Sequence, residues 1–175
     1  MKQATLVWLA LGGFAMSNLC GCKQETQGPS HARVGNCAAP IPLDSTPTLT
    51  AETTAVAERT LSATDPTCLG VATLGPEQVY QITVPVGGMT RLRVTVTPAE
   101  PPGPAAFDPV VYLMRDCVAP PVCVAAADRR GGGSLEAVEH TNTSGLAENL
   151  FLAVDGYDYQ PEGGAYRLAV ELVSP

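Results

Sequence analysis

The segment FDPVVYLMRDCVAPPVCVAAADRRGGGS, residues 107–134, has the pattern of a strand, a turn with cysteines, a second strand and a charged glycine loop. Within it, residues 110–114 are a run of five large apolar side chains, long enough for one buried strand. A turn with two cysteines and two consecutive prolines follows, and a second apolar run occupies residues 122–127. Asp128, two arginines and three glycines end that run. The segment therefore predicts the central hairpin of an all-β domain.

Alternating apolar and polar residues flank this hairpin on both sides, as is typical of half-buried strands. The pattern predicts about eight strands separated by turn residues, and hence an antiparallel, jelly-roll-like β-sandwich. Residues 48–57 are ambiguous, because residues 51–59 also have helix propensity. The expected strands are residues 78–84, 90–97, 110–114, 122–127, 135–141, 149–154 and the last strand. The side chains expected to face the core are Tyr80, Ile82, Val84, Leu92, Val94, Val96, Phe107, Val111, Leu113, Tyr166, Leu168, Val170 and Leu172.

The amino terminus has the pattern of a bacterial secretion signal over residues 1–21. Lys2 supplies the positive charge, and residues 6–16 form an apolar core too short to span a bilayer permanently. The sequence Leu-Cys-Gly-Cys ending at Cys22 resembles the lipobox of bacterial lipoproteins. This resemblance implies cleavage before Cys22 and its lipidation (palmitate-type acylation); an ordinary signal peptide is the alternative.

Three segments follow from this interpretation: a signal peptide (1–21), a lipidated flexible tether (22–36) and a single β-sandwich domain (37–175). More than one acyl chain anchors a protein stably, so the membrane is an expected partner. Lys23, rather than an aspartate, follows the lipidated cysteine. By the sorting rule of well-studied bacteria, this favours a lipid-anchored location in the cell envelope at the outer membrane.

Four cysteines remain in the predicted mature domain: Cys37, Cys68, Cys117 and Cys123. An even number in an exported chain predicts two disulfides, for which three connectivities are possible. The short hairpin turn favours Cys117–Cys123, which leaves Cys37–Cys68. A metal site is the rival interpretation, but no Cys-x-x-Cys spacing and no histidine pair supports it. The net charge of −7 argues against nucleic acid as a partner.

Residues 107–113, Asp128, residues 131–134, residues 150–157 and residues 163–168 together resemble the bacterial pre-peptidase C-terminal domain. They are most similar to its form in uncharacterised myxobacterial-type lipoproteins. The resemblance covers residues 75–173 and implies a jelly-roll-like sandwich that acts as a non-catalytic accessory module. It also implies calcium binding in some relatives, through acidic residues that precede the sandwich.

The acidic, tyrosine-containing loop at residues 155–164 is the candidate binding face for a glycan or protein ligand. Exposed tyrosines beside carboxylates suit such ligands, although one tyrosine can instead pack on the sandwich edge. Calcium needs six or more oxygen ligands, and Asp and Gly in a turn need no metal. The candidate ligand-binding residues are Asp155, Tyr157, Asp158 and Tyr159, and the candidate calcium ligands are Asp128, Asp155, Asp158 and Glu162.

Catalysis has little support, and we expect no enzyme. His140 is expected to point outward from its strand, and the chain has no nucleophile-elbow motif. Residues 131–134 could form an anion-binding nest, or simply a flexible turn with solvated arginines. The sequence thus predicts a lipid-anchored envelope protein with a non-catalytic binding or accessory module. The alternatives are a purely structural envelope lipoprotein and a hydrolase.

Overall fold

The computed structural model describes residues 33–43, 48–65, 68–70, 72–86, 89–103, 106–157 and 163–173. The predicted signal peptide, Cys22 and most of the predicted tether lie outside these residues. The described chain contains nine strands and no α-helix. The strands are β1 (Ile41–Leu43), β2 (Thr48–Thr53), β3 (Gln78–Val84), β4 (Arg91–Pro98), β5 (Pro109–Met114), β6 (Cys123–Ala127), β7 (Glu136–Thr141), β8 (Glu148–Gly156) and β9 (Ala165–Val173).

The strands form two sheets that pack as a β-sandwich, as the sequence predicts. The five-stranded sheet has the order β1-β3-β8-β5-β6, and the four-stranded sheet has the order β2-β9-β4-β7. Only β1 runs parallel to its neighbour, β3, and the other pairs are antiparallel. The short strand β1 was not predicted. The ambiguous segment is strand β2 followed by a turn, so the helical alternative for it is wrong.

The strand order is that of a jelly roll with one added edge strand. The pairs β5–β6, β4–β7, β3–β8 and β2–β9 are nested, so the chain is one long antiparallel hairpin wrapped into two sheets. The pairs β4–β9 and β5–β8 then join the two arms of this hairpin. The predicted central hairpin, β5–β6, lies at the tip of the long hairpin.

Between the sheets lies the main core, and it contains the predicted inward side chains. Removing these apolar groups from water is the main favourable term in folding. Leu172 is half-buried at the margin of this core. The buried members that the alternation predicts are Tyr80, Ile82, Val84, Leu92, Val94, Val96, Phe107, Val111, Leu113, Tyr166, Leu168 and Val170.

A second, smaller core covers the outer face of the five-stranded sheet. All six residues of β5 are buried, because its alternate side chains Val110, Tyr112 and Met114 point into this second core. The cover is the β2–β3 connection, which contributes Leu61 and Ala63. We call the described residues of 54–76 the cover segment. Because β5 is buried on both faces, its sequence is a continuous apolar run and not an alternating pattern.

One disulfide attaches the cover segment and a second attaches the chain before β1, and the favoured pairing of the cysteines is wrong. Cys37 is bonded to Cys117, with 5.3 Å between Cα atoms, and Cys68 is bonded to Cys123, with 4.9 Å. Cys123 lies opposite Met114 on the outer face of the sheet, so its sulfur meets Cys68 of the cover segment. Closeness along the chain predicted the pairing incorrectly, because each cysteine of the hairpin meets a different overlying segment.

Candidate functional site

The two ends of the sandwich carry different loops. Arg33, the first described residue, contacts Glu52 and Gln78 at one end, which we call the tether end. The β2–β3, β4–β5, β6–β7 and β8–β9 connections belong to this end. The β3–β4, β5–β6 and β7–β8 connections, together with Val173, belong to the opposite end, which we call the far end.

The predicted ligand-binding loop lies at the tether end, and its described residues have different environments. Tyr157 is exposed, with 38% of its surface accessible. Asp155 is fully buried and belongs to β8, so its predicted place on an exposed turn is wrong. Asp158, Tyr159 and Glu162 lie outside the described residues. The ligand-binding role of this loop therefore rests, among described residues, on Tyr157.

The Asp155 carboxylate bonds inward. Its Oδ2 accepts a hydrogen bond from the Tyr112 hydroxyl at 3.1 Å, and its Oδ1 accepts one from the Gly156 amide at 2.7 Å. A further hydrogen bond joins it to the Thr73 side chain of the cover segment. Burial raises the pKa of Asp155 to about 7, despite the hydrogen bonds that lower it. Asp155 thus fastens the cover segment to the sheet.

Glu77 is a second buried carboxylate on the same face, and sequence reasoning missed it. Its Oε1 accepts hydrogen bonds from the Thr60 amide at 2.7 Å, the Leu61 amide at 3.0 Å and the Thr60 hydroxyl. Burial raises the pKa of Glu77, and its charge also raises that of Asp155. A glutamate between a proline and a strand has no sequence signature of burial. Glu77 and Asp155 are a buried acid pair that attaches the cover segment.

The calcium prediction has two ligands within the described chain, Asp155 and Asp128. Asp128 is half-buried after β6, and its pKa is raised by burial and then by Glu136. Within the described ranges, no group of three His, Cys, Asp or Glu residues could hold a metal ion. The calcium role of Asp158 and Glu162 stays a prediction.

His140 is not an outward strand residue, so that expectation is wrong. It lies opposite Leu92 in the inward row of β7, and its side chain is only 12% exposed. Its Nε2 is 2.6 Å from Glu148 Oε2, on the other sheet. Arg115 lies 3.2 Å from the second oxygen of Glu148. The hydrogen bond with His140, helped by Arg115, lowers the pKa of Glu148. These three side chains join the two sheets at the far end.

Residues 131–134 are packed against the proline-rich β4–β5 loop. The Gly133 amide donates to the Phe107 carbonyl at 2.8 Å, and the Ser134 amide donates to the Gly131 carbonyl at 3.2 Å. Gly133 has a φ of +76°, and a Cβ there would collide with the Pro102 backbone. Gly133 therefore serves a turn and close packing. The Gly133 and Ser134 amides are occupied within the protein and are not free to bind an anion, whereas Arg129 and Arg130 are exposed to solvent, as the turn interpretation predicts.

The far end displays apolar side chains on two neighbouring turns. Leu146 is 75% exposed, Met89 63% and Val86 62%. Buried Asn142 joins these turns, because its side-chain amide donates to the Leu146 carbonyl at 2.8 Å and the Pro85 carbonyl at 3.3 Å. We call Val86, Met89 and Leu146 the far-end tips. All three side chains are exposed and lie on turns that Asn142 links, and sequence reasoning did not single them out.

Comparison with known proteins gives no relative for this chain: no family model, no curated protein and no solved structure matches it. Within the described ranges, no helix has the length and apolar character needed to cross a membrane.

Proposed function

We propose that this chain is a cell-envelope lipoprotein, anchored by acylation of Cys22, whose β-sandwich is a non-catalytic binding or accessory module. The observation that carries the proposal is the pair of disulfides, Cys37–Cys117 and Cys68–Cys123. Disulfides persist in oxidising compartments outside the cytosol, in agreement with the secretion signal and lipobox of the sequence. A small or medium-sized exported domain also gains stability from such cross-links.

Arg33, the first described residue, contacts Glu52 and Gln78 at the tether end, so the far-end tips lie at the opposite end of the sandwich from Arg33. Exposed apolar groups of this kind are typical of interaction sites. We therefore infer that the far-end tips carry the main binding face, with the Tyr157 loop as the second candidate. The purely structural role remains the alternative function.

Fractionation of cell membranes tests the anchor. Cys22→Ser should release the protein into the soluble fraction, because the lipid is lost. Cys20→Ser is the matched control, since Cys20 precedes the predicted cleavage site and should leave the protein on the membrane. Retention of the Cys22→Ser variant on membranes would overturn the lipobox interpretation.

A glycan and peptidoglycan binding screen of the Cys22→Ser protein, with and without calcium, tests the module. Leu146→Ser combined with Met89→Ser should abolish any binding that uses the far end, whereas Tyr157→Ala should leave that binding unchanged. The reverse pattern would assign the ligand to the Tyr157 loop. The absence of binding in every condition would favour the structural role.

A further inference from the structure

A groove runs along the side of the sandwich where the two sheets end. Strand β6 is the last strand of the five-stranded sheet, and β7 is the last strand of the four-stranded sheet. Between them lies a cavity of about 370 Å³, lined by residues 125 and 126 of β6 and residues 137 and 138 of β7, with Arg93 and Arg129 at its rims. A volume of this size is typical of ligand clefts in proteins.

The floor of this groove must contain backbone hydrogen-bonding groups. In an antiparallel pair, successive residues direct their N–H and C=O groups alternately toward the neighbouring strand and away from it. Ala125 and Ala126 are consecutive, and β6 has a single neighbour, β5, so one of these alanines directs its backbone groups into the groove. The same argument holds for Ala137 and Val138, because β7 pairs only with β4.

Strand β6 is short, with five residues, but it lacks the charged side chains and prolines that block many edge strands. Natural edges are commonly blocked by charged side chains, by proline or by a covering segment. Residues 123–127 contain neither a charge nor a proline, and Ala125 and Ala126 are half-buried rather than covered. Their methyl side chains leave the backbone accessible to an added strand.

The charge at the rim indicates the chemistry of the occupant. Arg129 is exposed, and no carboxylate of the described residues forms an ion pair with its guanidinium. Buried Glu136 accepts the amides of Arg129 and Arg130 at 3.0 and 2.8 Å, and so fixes the loop that presents Arg129. At the other rim, Glu139 lies 3.8 Å from Arg93. An exposed guanidinium that no described carboxylate neutralises, at the rim of the groove, complements an acidic group of a ligand.

We propose that this groove binds an extended peptide segment of another protein, which adds as a strand along β6 and places an acidic side chain against Arg129. Backbone hydrogen bonds supply the affinity, as in other strand-addition complexes, and Arg129 supplies the preference for acidic peptides. This site is separate from the far-end tips and does not depend on the lipid anchor.

The test uses a phage-displayed library of random eight-residue peptides against the detergent-solubilised full-length protein. We expect enrichment of peptides with an acidic residue, and at least tenfold weaker binding of a selected peptide to the Arg129→Glu variant. Arg167→Glu is the matched control, because Arg167 is an exposed arginine on the outer face of the four-stranded sheet. Its binding should equal that of the wild type.

A second measurement tests the strand geometry without changing the protein. N-methylation of alternate residues removes backbone donors from the selected peptide, and methylation in one of the two registers should abolish binding. No enriched peptide, equal binding by both arginine variants, or binding that tolerates methylation in both registers would overturn the proposal. So would a dimer in analytical ultracentrifugation that Arg129→Glu dissociates, because a second copy would then occupy the groove.

Discussion

The Tyr112 hydroxyl donates a hydrogen bond to Asp155 Oδ2 at 3.1 Å beneath the cover segment. The two residues come from neighbouring strands, β5 and β8, and both side chains are fully inaccessible to solvent. A carboxyl group predicted to face a ligand on an exposed loop is therefore part of the second core. The protonation state of Asp155 therefore affects the free energy of unfolding.

The first prediction concerns pH. The pKa of Asp155 is about 7 in the folded chain because of burial, against a usual value of 3.8. Between these values the folded state keeps a proton that the unfolded state releases, so the free energy of unfolding falls as pH rises from 4 to 7. Asp155→Asn should remove much of this dependence, which amounts to a few kcal/mol. Urea unfolding at pH 4.5 and pH 8 measures it.

An exposed carboxylate provides the control for this experiment. Glu171→Gln, on the outer face of the four-stranded sheet, should leave the pH dependence unchanged. If Asp155→Asn and Glu171→Gln have the same pH profile as the wild type, the acid pair does not control the stability of the fold.

The second prediction concerns the disulfides. Peptide mapping under non-reducing conditions should recover the links Cys37–Cys117 and Cys68–Cys123. Replacing Cys68 and Cys123 by serine should lower the free energy of unfolding by about 4 kcal/mol, from the loop-closure entropy of their separation of 55 residues. Thermal unfolding of the variant, compared with the wild type, measures this loss. A link between Cys117 and Cys123 would contradict the structure.

The third prediction concerns the glycine loop. Gly133→Ala should destabilise the fold by more than 1 kcal/mol, because φ is +76° and the new Cβ would meet the Pro102 backbone and lie 2.6 Å from the Pro101 carbonyl oxygen. Gly131→Ala is the matched control: its Cβ would have no neighbour within 4 Å. Chemical denaturation of the two variants should separate them. Equal stabilities of the two variants would mean that the glycine loop does not pack tightly against the proline-rich β4–β5 loop.

The fourth prediction concerns the link between the sheets at the far end. Glu148→Gln should cost about 1 to 2 kcal/mol, because it weakens a charged hydrogen bond to His140 and an ion pair to Arg115. Since the pKa of Glu148 is lowered in the folded chain, this contribution is present above its usual value of 4.5 and is lost as pH falls further. Urea unfolding at pH 7 and pH 3 should therefore show a larger difference from the wild type at pH 7. A difference that is equal at both values would rule out the ion pair as its source.

Local patterns predicted much of the fold. The alternation in β3, β4 and β9 identified the inward side chains, because the pleat of a strand places every second residue on the same face. The turn residues marked most strand ends. The continuous apolar run of β5 predicted a buried strand, but not that a second core covers its outer face. Strand β1 was missed because three residues, Ile41–Leu43, carry too little pattern.

Local patterns predicted the candidate site less well than they predicted the fold. Loop composition pointed to Asp155 and Tyr157, yet these two nearby residues have opposite environments. Nothing in the sequence near Glu77 signals burial, and nothing near Arg129 shows that it stands at the rim of a groove. These properties arise from contacts between segments that are distant in the chain.

Neighbouring residues were enough to predict the all-β class and the inward faces of the main strands, and they carry the pattern from which export and lipidation are predicted. Long-range contacts were needed to establish the cysteine pairing, the second core under the cover segment, the buried acid pair and the groove between β6 and β7. These features depend on how the long hairpin folds back on itself. At each disulfide, the folded chain brings together two cysteines that lie 55 or 80 positions apart in the sequence. Local propensity carries no information about which of these distant partners will meet.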